Sequence, residues 1–287
     1  MKAIMFPGQG SQHKGMGKDL FGSFKKEITQ ASDILGYDLE TLCLEDPRRE
    51  LGKTQFTQPA LYVVNALAFM QKDIKTTNNW FIGHSLGEYN ALLAAGAFDF
   101  ETGLKLVQKR GELMGNAVKG AMAAVLGLDI EELKNKLSEG GYDSIDIANF
   151  NTPTQTVVSG PKEAINILLK DFENQNILIV PLFVTSPFHS RYMKNAAADF
   201  SLFLEDFEFS PLKSPVISNV TGVPYKDDQV KVLLSEQINS SVNWTGSIRY
   251  LMGQGIHDFE EIGSEILSKM VNEIKNNCTP IIENQMI

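Results

Sequence analysis

The feature that most constrains this chain is an alternation. Short apolar runs bounded by glycine or polar residues (Ala3 to Phe6, Trp80 to Ile82, Ala121 to Leu126, Thr156 to Ser159, Pro215 to Asn219) are separated by longer stretches with helical periodicity. The helical stretches are Ala60 to Lys72, Leu86 to Ala97, Phe100 to Ala117 and Ile130 to Leu137. Such runs suit strands buried on both faces, and strands alternating with helices build a parallel sheet of the α/β class. The rhythm breaks at residues 121–184. There the pattern reads strand, helix, two short strands around Asp146 to Ser159, a helix from Lys162 to Glu173 and a strand from Ile177 to Val184. That order, β-α-β-β-α-β, matches the ferredoxin-like motif. It predicts a small subdomain at 120–184 inserted into a large domain made of 1–119 and 185–287.

Composition narrows the class of function. With 43% apolar and 21% charged residues over 287 positions, the chain can bury a sizeable core. A formal net charge of −9 argues against non-specific nucleic-acid binding, which needs clustered positive charge. No apolar run approaches the roughly 20 residues of a membrane span. The start, Met1-Lys2-Ala3-Ile4-Met5-Phe6, lacks the pattern of a secretory signal, so a cytoplasmic protein is expected. Cys43 and Cys278 are far apart, and His13, His84, His189 and His257 fall in no ligand spacing, so free thiols and no metal are expected.

The first motif with chemistry is Gly83-His84-Ser85-Leu86-Gly87, between an apolar strand and a helical stretch. This is a G-x-S-x-G elbow in a strand–turn–helix setting. Small residues on either side let the chain turn sharply, expose the Ser85 hydroxyl and place the Leu86 N–H at a helix N-terminus, where it can bind an oxyanion. A serine nucleophile needs a base, and His189, in Ser186-Pro187-Phe188-His189-Ser190 after an extended stretch, is the best placed of the four histidines. His84, inside the elbow, would point elsewhere. Pro7-Gly8-Gln9-Gly10-Ser11-Gln12 follows the first strand without a phosphate-loop pattern, and fits a loop presenting N–H groups toward the elbow. Val107, Arg110 and Met114 share a helix face, which directs Arg110 inward. A buried guanidinium needs a partner: either a structural carboxylate or the carboxylate of a substrate, which its fork fits bidentately.

These segments, together with Thr57-Gln58-Pro59-Ala60-Leu61, Gly120-Ala121-Met122-Ala123-Ala124-Val125 and Asn243-Trp244-Thr245, resemble the malonyl-CoA:acyl-carrier-protein transacylase family along nearly the whole chain. The resemblance implies an α/β-hydrolase-like large domain with a ferredoxin-like insertion, no cofactor, and malonyl-CoA and a phosphopantetheinylated acyl carrier protein as partners. It implies Ser85 as acyl acceptor, His189 as its base, and the N–H groups of Gln9 and Leu86 as the oxyanion hole. It further implies Arg110 as clamp of the malonyl carboxylate, Gln58 at the pocket, the carbonyl of Asn243 orienting His189, and Leu86 with Phe188 as the pattern that selects malonyl over methylmalonyl units. Two departures stand out. Ser186-Pro187 precedes Phe188 where many members have Gly-Ala or His-Ala, and Gly263-Ser264-Glu265 replaces a late Gly-Pro-Gly. Phe188-His189-Ser190-Arg191-Tyr192-Met193 is closer to the discrete enzymes of polyketide synthesis, and Arg191 with Lys194 forms a candidate docking patch for the carrier. A hydrolase that edits acyl groups on carrier proteins is the rival reading; an inactive docking module is a third.

Overall fold

The computed structural model describes residues 1–74 and 77–282. Among them the chain forms two four-stranded sheets. The strands are β1 (Lys2–Phe6), β2 (Asn79–Gly83), β3 (Ala121–Leu126), β4 (Asp146–Thr152), β5 (Gln155–Gly160), β6 (Leu178–Pro181), β7 (Val216–Ile217) and β8 (Phe259–Glu261). The first sheet is parallel in the order β7-β2-β1-β8, and the second is antiparallel in the order β4-β5-β3-β6.

The central strand explains why the apolar run at the N-terminus carries so much information. Ile4 and Phe6 pack into one core with Leu61, Leu67 and Phe81, whereas Ala3 and Met5 pack into another with Trp244, Ile248, Leu251 and Val271. Side chains of a strand alternate between faces, so a strand with helices on both faces is apolar at every position. The antiparallel sheet has a third core of its own, built on Ala123, Val125, Val158, Leu133, Ile165, Leu168 and Phe172. Its elements run β3, helix Ile130–Glu139, β4, β5, helix Lys162–Asn174, β6, the order read from the sequence. The chain enters and leaves this unit side by side, with the Gly120 N–H donating to the Thr185 carbonyl at 3.0 Å.

Several boundaries differ from expectation. The helix expected from Ala60 begins at Thr54 and carries Pro59 inside it. An internal proline costs about 3 kcal/mol, but every residue from Thr57 to Leu67 is buried, and each large side chain contributes roughly 1.5–3 kcal/mol. Packing therefore overrides the break, and Gln58 sits on this helix. The strands expected at Pro215–Asn219 and Ile177–Val184 shorten to Val216–Ile217 and Leu178–Pro181. The three-residue β8 lay in no strong apolar run. After it, Gly263 adopts φ +78°, and Glu261 accepts from the Ser268 N–H at 2.8 Å, closing the turn into helix Ile266–Asn277.

Candidate active site

Parallel sheets present ligands at the carboxyl ends of their strands, and β1 and β2 end together, with Phe6 paired to Gly83. The Pro7–Ser11 loop and the elbow therefore emerge next to one another. Their contact leaves no room for side chains. A Cβ on Gly87 would lie 2.0 Å from the Phe6 carbonyl oxygen, and one on Gly8 would lie 2.3 Å from that of His84. Ser85 itself adopts φ +51°, a left-handed conformation that costs a non-glycine residue about 1–3 kcal/mol and persists only where the surroundings hold it. Asn219 holds it here. Its Oδ1 accepts from the Ser85 N–H at 2.7 Å, and its Nδ2 donates to the Gly83 carbonyl at 2.7 Å.

The Ser85 hydroxyl lies 2.8 Å from Nε2 of His189. His189 sits in the loop after β6, itself at φ +55°, and its Nδ1–H is shared between the carbonyls of Gln237 at 2.8 Å and Ser240 at 3.2 Å. Those carbonyls fix the tautomer, leaving the Nε2 lone pair for the serine proton. The orienting group expected from the resemblance is thus corrected. The Asn243 carbonyl accepts from the N–H and hydroxyl of Ser247 at 3.0 and 2.7 Å, because Asn243 caps helix Trp244–Gly253. Burial pushes the His189 imidazole down to about 3, with the nearby Arg110 charge acting in the same direction. The ring is therefore neutral at physiological pH. His84 turns away to Asn151, 2.9 Å from Nε2, and packs against Trp244.

Arg110 is fully buried on helix Phe100–Gly115. Its Nη1 donates to Oε1 of Gln58 at 2.7 Å; its Nη2 donates to Oε1 of Gln237 at 2.7 Å and to the Ser85 hydroxyl at 3.0 Å. The guanidinium also packs over the Tyr89 ring. Among the described residues no carboxylate forms a salt bridge with it. Burial lowers its pKa, and the oxygens it hydrogen-bonds are all neutral. The buried Glu88 carboxyl acts on it only through space, and a buried cation with no carboxylate bonded to it is a ready site for an anion.

These groups line a cavity of about 220 Å³ with Gln9, Gln58, Leu86, Met114 and Phe188 from the large unit. Met122, Asn149, Val157, Leu182 and Val184 close it from the antiparallel side. The N–H groups of Gln9 and Leu86 donate to no other group among the described residues. Ser186 and Pro187 are not among the lining residues; the proline ring packs against Gly120, where a Cβ would come within 2.7 Å. Arg191 is held by Asp146, 2.8 Å from Nε to Oδ1, so of the two residues of the candidate docking patch only Lys194 forms no ion pair. Gln237 is one of the residues that the sequence did not reveal, with Asn219 and Ser240. Between Glu236 and Ile238 it carries no motif, and only the fold brings it to His189 and Arg110. Among the described residues no group of three or more His, Cys, Asp or Glu could hold a metal ion.

The acyl transferase domain family matches residues 4–244. The chain is also 51% identical over 283 residues to the polyketide biosynthesis malonyl CoA-acyl carrier protein transacylase PksC of Bacillus subtilis, covering 97% of this chain and 98% of that protein. The chain belongs to this family of acyltransferases. This chain is 50% identical over 286 residues to the polyketide biosynthesis protein PksE of the same organism, a match that covers 98% of this chain but only 37% of PksE. Its fold is that of the malonyl CoA-acyl carrier protein transacylase of Burkholderia pseudomallei, with a TM-score of 0.93 and 45% identity across 98% of this chain and 99% of the other.

Proposed function

We propose that this acyltransferase carries the malonyl group from malonyl-CoA to the phosphopantetheine thiol of an acyl carrier protein, through an ester on Ser85. The observation that carries this reading is the buried Arg110, 3.0 Å from the Ser85 hydroxyl and bonded only to neutral oxygens. A hydrolase of neutral acyl chains has no use for that cation. Ser85 Oγ attacks the thioester carbonyl while its proton passes to His189 Nε2. The carbonyl oxygen becomes an oxyanion received by the Gln9 and Leu86 N–H groups, each worth roughly 2.7–4 kcal/mol. Collapse breaks the C–S bond, and His189 returns the proton to the departing thiolate. In the second half His189 takes the proton of the carrier thiol, sulfur attacks the ester, and Ser85 leaves with that proton. Arg110 holds the malonyl carboxylate, Gln58 and Gln237 aim the guanidinium, and the Gln237 and Ser240 carbonyls orient His189. Phe188 closes the wall beside the acyl group.

Polyketide synthesis is the pathway that the identity with PksC favours. The large unit is read as α/β-hydrolase-like and the insertion at 120–184 as ferredoxin-like, supported by the strand orders and by the Gly120–Thr185 bond at its two ends. No helix among the described residues is long and apolar enough to cross a membrane, and both cysteines are free, which suits a reducing cytoplasm. Intact-mass measurement after incubation with malonyl-, methylmalonyl- and acetyl-CoA tests the function. One malonyl adduct is expected on the wild-type chain and none on Ser85→Ala. An adduct on the variant, or none on the wild type, overturns the reading.

A further inference from the structure

Glu88 is not used in the transfer scheme, yet it lies one hydrogen-bonded residue away from each of its principal groups. It is in the first turn of helix Gly87–Ala94 and is fully buried. Burial raises its pKa to about 7 against the bonds it accepts, so the group is costly where it stands. Its partners supply the reason for it. Oε2 accepts from the Asn219 N–H at 3.0 Å and from Gln237 Nε2 at 2.8 Å, and Oε1 accepts from the Tyr225 hydroxyl.

Each of the first two partners extends to the site. Asn219 carries the Ser85 N–H and the Gly83 carbonyl on its side-chain amide, so it holds the strained elbow. Gln237 carries three groups at once. Its Oε1 accepts from Arg110, its Nε2 also donates to the Ser85 carbonyl at 3.0 Å, and its main-chain carbonyl accepts from His189. A guanidinium only donates, whereas the Ser85 carbonyl and Glu88 Oε2 only accept, so the polarity of the Gln237 amide is determined by what flanks it. An apolar residue at position 88 would leave the Asn219 N–H without an acceptor and Gln237 Nε2 with one of its two. A buried donor without an acceptor is costly, and both side chains would shift to relieve it.

We propose that Glu88 is a positioning residue which, through Asn219 and Gln237, sets Ser85, His189 and Arg110 in register with one another. It acts as a two-fold acceptor at Oε2 and touches no reacting atom. This inference rests on the reading of Ser85 and His189 as the acyl-transfer pair, and its test separates the two.

Wild type, Glu88→Gln, Glu88→Met, Gln237→Ala and the Glu88→Met/Gln237→Ala double variant are compared by two readouts. One is the rate of Ser85 sulfonylation by phenylmethylsulfonyl fluoride, which needs an activated serine but no malonyl group. The other is the ratio of malonyl to acetyl loading. Glu88→Met is expected to slow sulfonylation about tenfold or more and to lower the malonyl-to-acetyl ratio, while Glu88→Gln, which can still present an oxygen, stays within about threefold of wild type. The double variant should lose less than the product of the two single losses, because part of the effect of Glu88 runs through Gln237 and the rest through Asn219. Wild-type behaviour of Glu88→Met, equal loss in Glu88→Gln, or full additivity in the double variant overturns the proposal. If the melting curve shows that Glu88→Met does not fold, Glu88→Asp replaces it. Its shorter reach should give the same loss, and wild-type rates there overturn the idea equally. A wild-type chain that is sulfonylated but takes up no malonyl group refutes the functional reading alone, since the sulfonylation rates still decide the role of Glu88. A wild-type chain that is not sulfonylated refutes both.

Discussion

The parallel and antiparallel units make unequal contributions to one cavity. Ser85, His189, Arg110, Gln58, Gln237 and the two free N–H groups all come from the large unit, and the five named residues are tied to each other by hydrogen bonds of 2.7–3.0 Å. The antiparallel unit gives mostly apolar wall: Met122, Val157, Leu182 and Val184, with Asn149 and Asn151. The two also differ at their edges. The β4 edge is paired with the large unit through Val242, whose N–H donates to the Ala148 carbonyl at 2.8 Å. The β6 side exposes Leu178, Val180 and Phe183. Charge is handled inside the rigid parallel framework, where neutral partners hold a buried cation in place. Shape is handled by a separate unit with a core of its own. Chemistry and selectivity can then change independently, and substitutions on the two sides should have effects of different kinds.

The largest effects should fall on the large-unit side. Ser85→Ala removes the only attachment point in the scheme, so acyl-enzyme formation should disappear while the melting temperature stays near that of wild type. Relief of the strained φ at this position does not depend on the hydroxyl. Next, His189→Ala should slow loading by about 10²–10⁴-fold, the range of a positioned general base. Stopped-flow or quenched loading assays check it, and a wild-type rate would mean that another group takes the Ser85 proton.

What the sequence disclosed follows the same division. The parallel sheet was legible because β1 is apolar at all of its inward positions, and the elbow because two glycines flank a serine at a strand–helix junction. Arg110 was legible as inward-facing from helical periodicity, though not its partners. Gln58 was placed at the pocket by the resemblance alone, outside the helical stretch read from Ala60, whereas the helix begins at Thr54 and carries it. The orienting carbonyl was assigned to Asn243, which the fold uses as a helix cap, whereas Gln237 and Ser240 do the work from a loop that no local pattern marks. Backbone carbonyls carry no side-chain signature, so a residue that acts through its main chain is invisible until the chain is folded. Glu88 and Asn219 were missed for a related reason, since buried polar partners are defined by contacts distant in sequence.

Arg110→Ala comes third in size. It leaves a bound malonyl carboxylate desolvated and unpaired, which at about 3–5 kcal/mol corresponds to a loss on the order of 10²–10³-fold in malonyl loading. Acetyl loading should change far less. A purely structural arginine would instead lower both and the melting temperature together. The substitution also has a pH signature. The Arg110 charge is one cause of the depressed His189 pKa, so removing it stabilises the imidazolium and raises that pKa from about 3. The neutral base is then lost at a higher pH, and the acid limb of acetyl loading should move upward. An unmoved limb would show that burial alone keeps His189 neutral.

The smallest expected effect is on the antiparallel side, and it decides whether the division of labour holds. Val157 is buried on β5 and lines the cavity opposite the parallel unit. Val157→Ala removes two methyl groups, which should lower stability by about 1.6 kcal/mol and widen the acyl space without touching any hydrogen bond of the large unit. Malonyl loading should therefore stay within about threefold of wild type, since the wall makes no contact with the transferred proton or the carboxylate. Methylmalonyl loading, relative to malonyl, should rise up to about tenfold, the low end of what one methyl group commands in an apolar pocket. Competition between the two thioesters, read by intact mass, measures the ratio directly. If malonyl loading instead falls as far as in Arg110→Ala, the antiparallel unit takes part in positioning the charged groups, and the separation of chemistry from shape is lost.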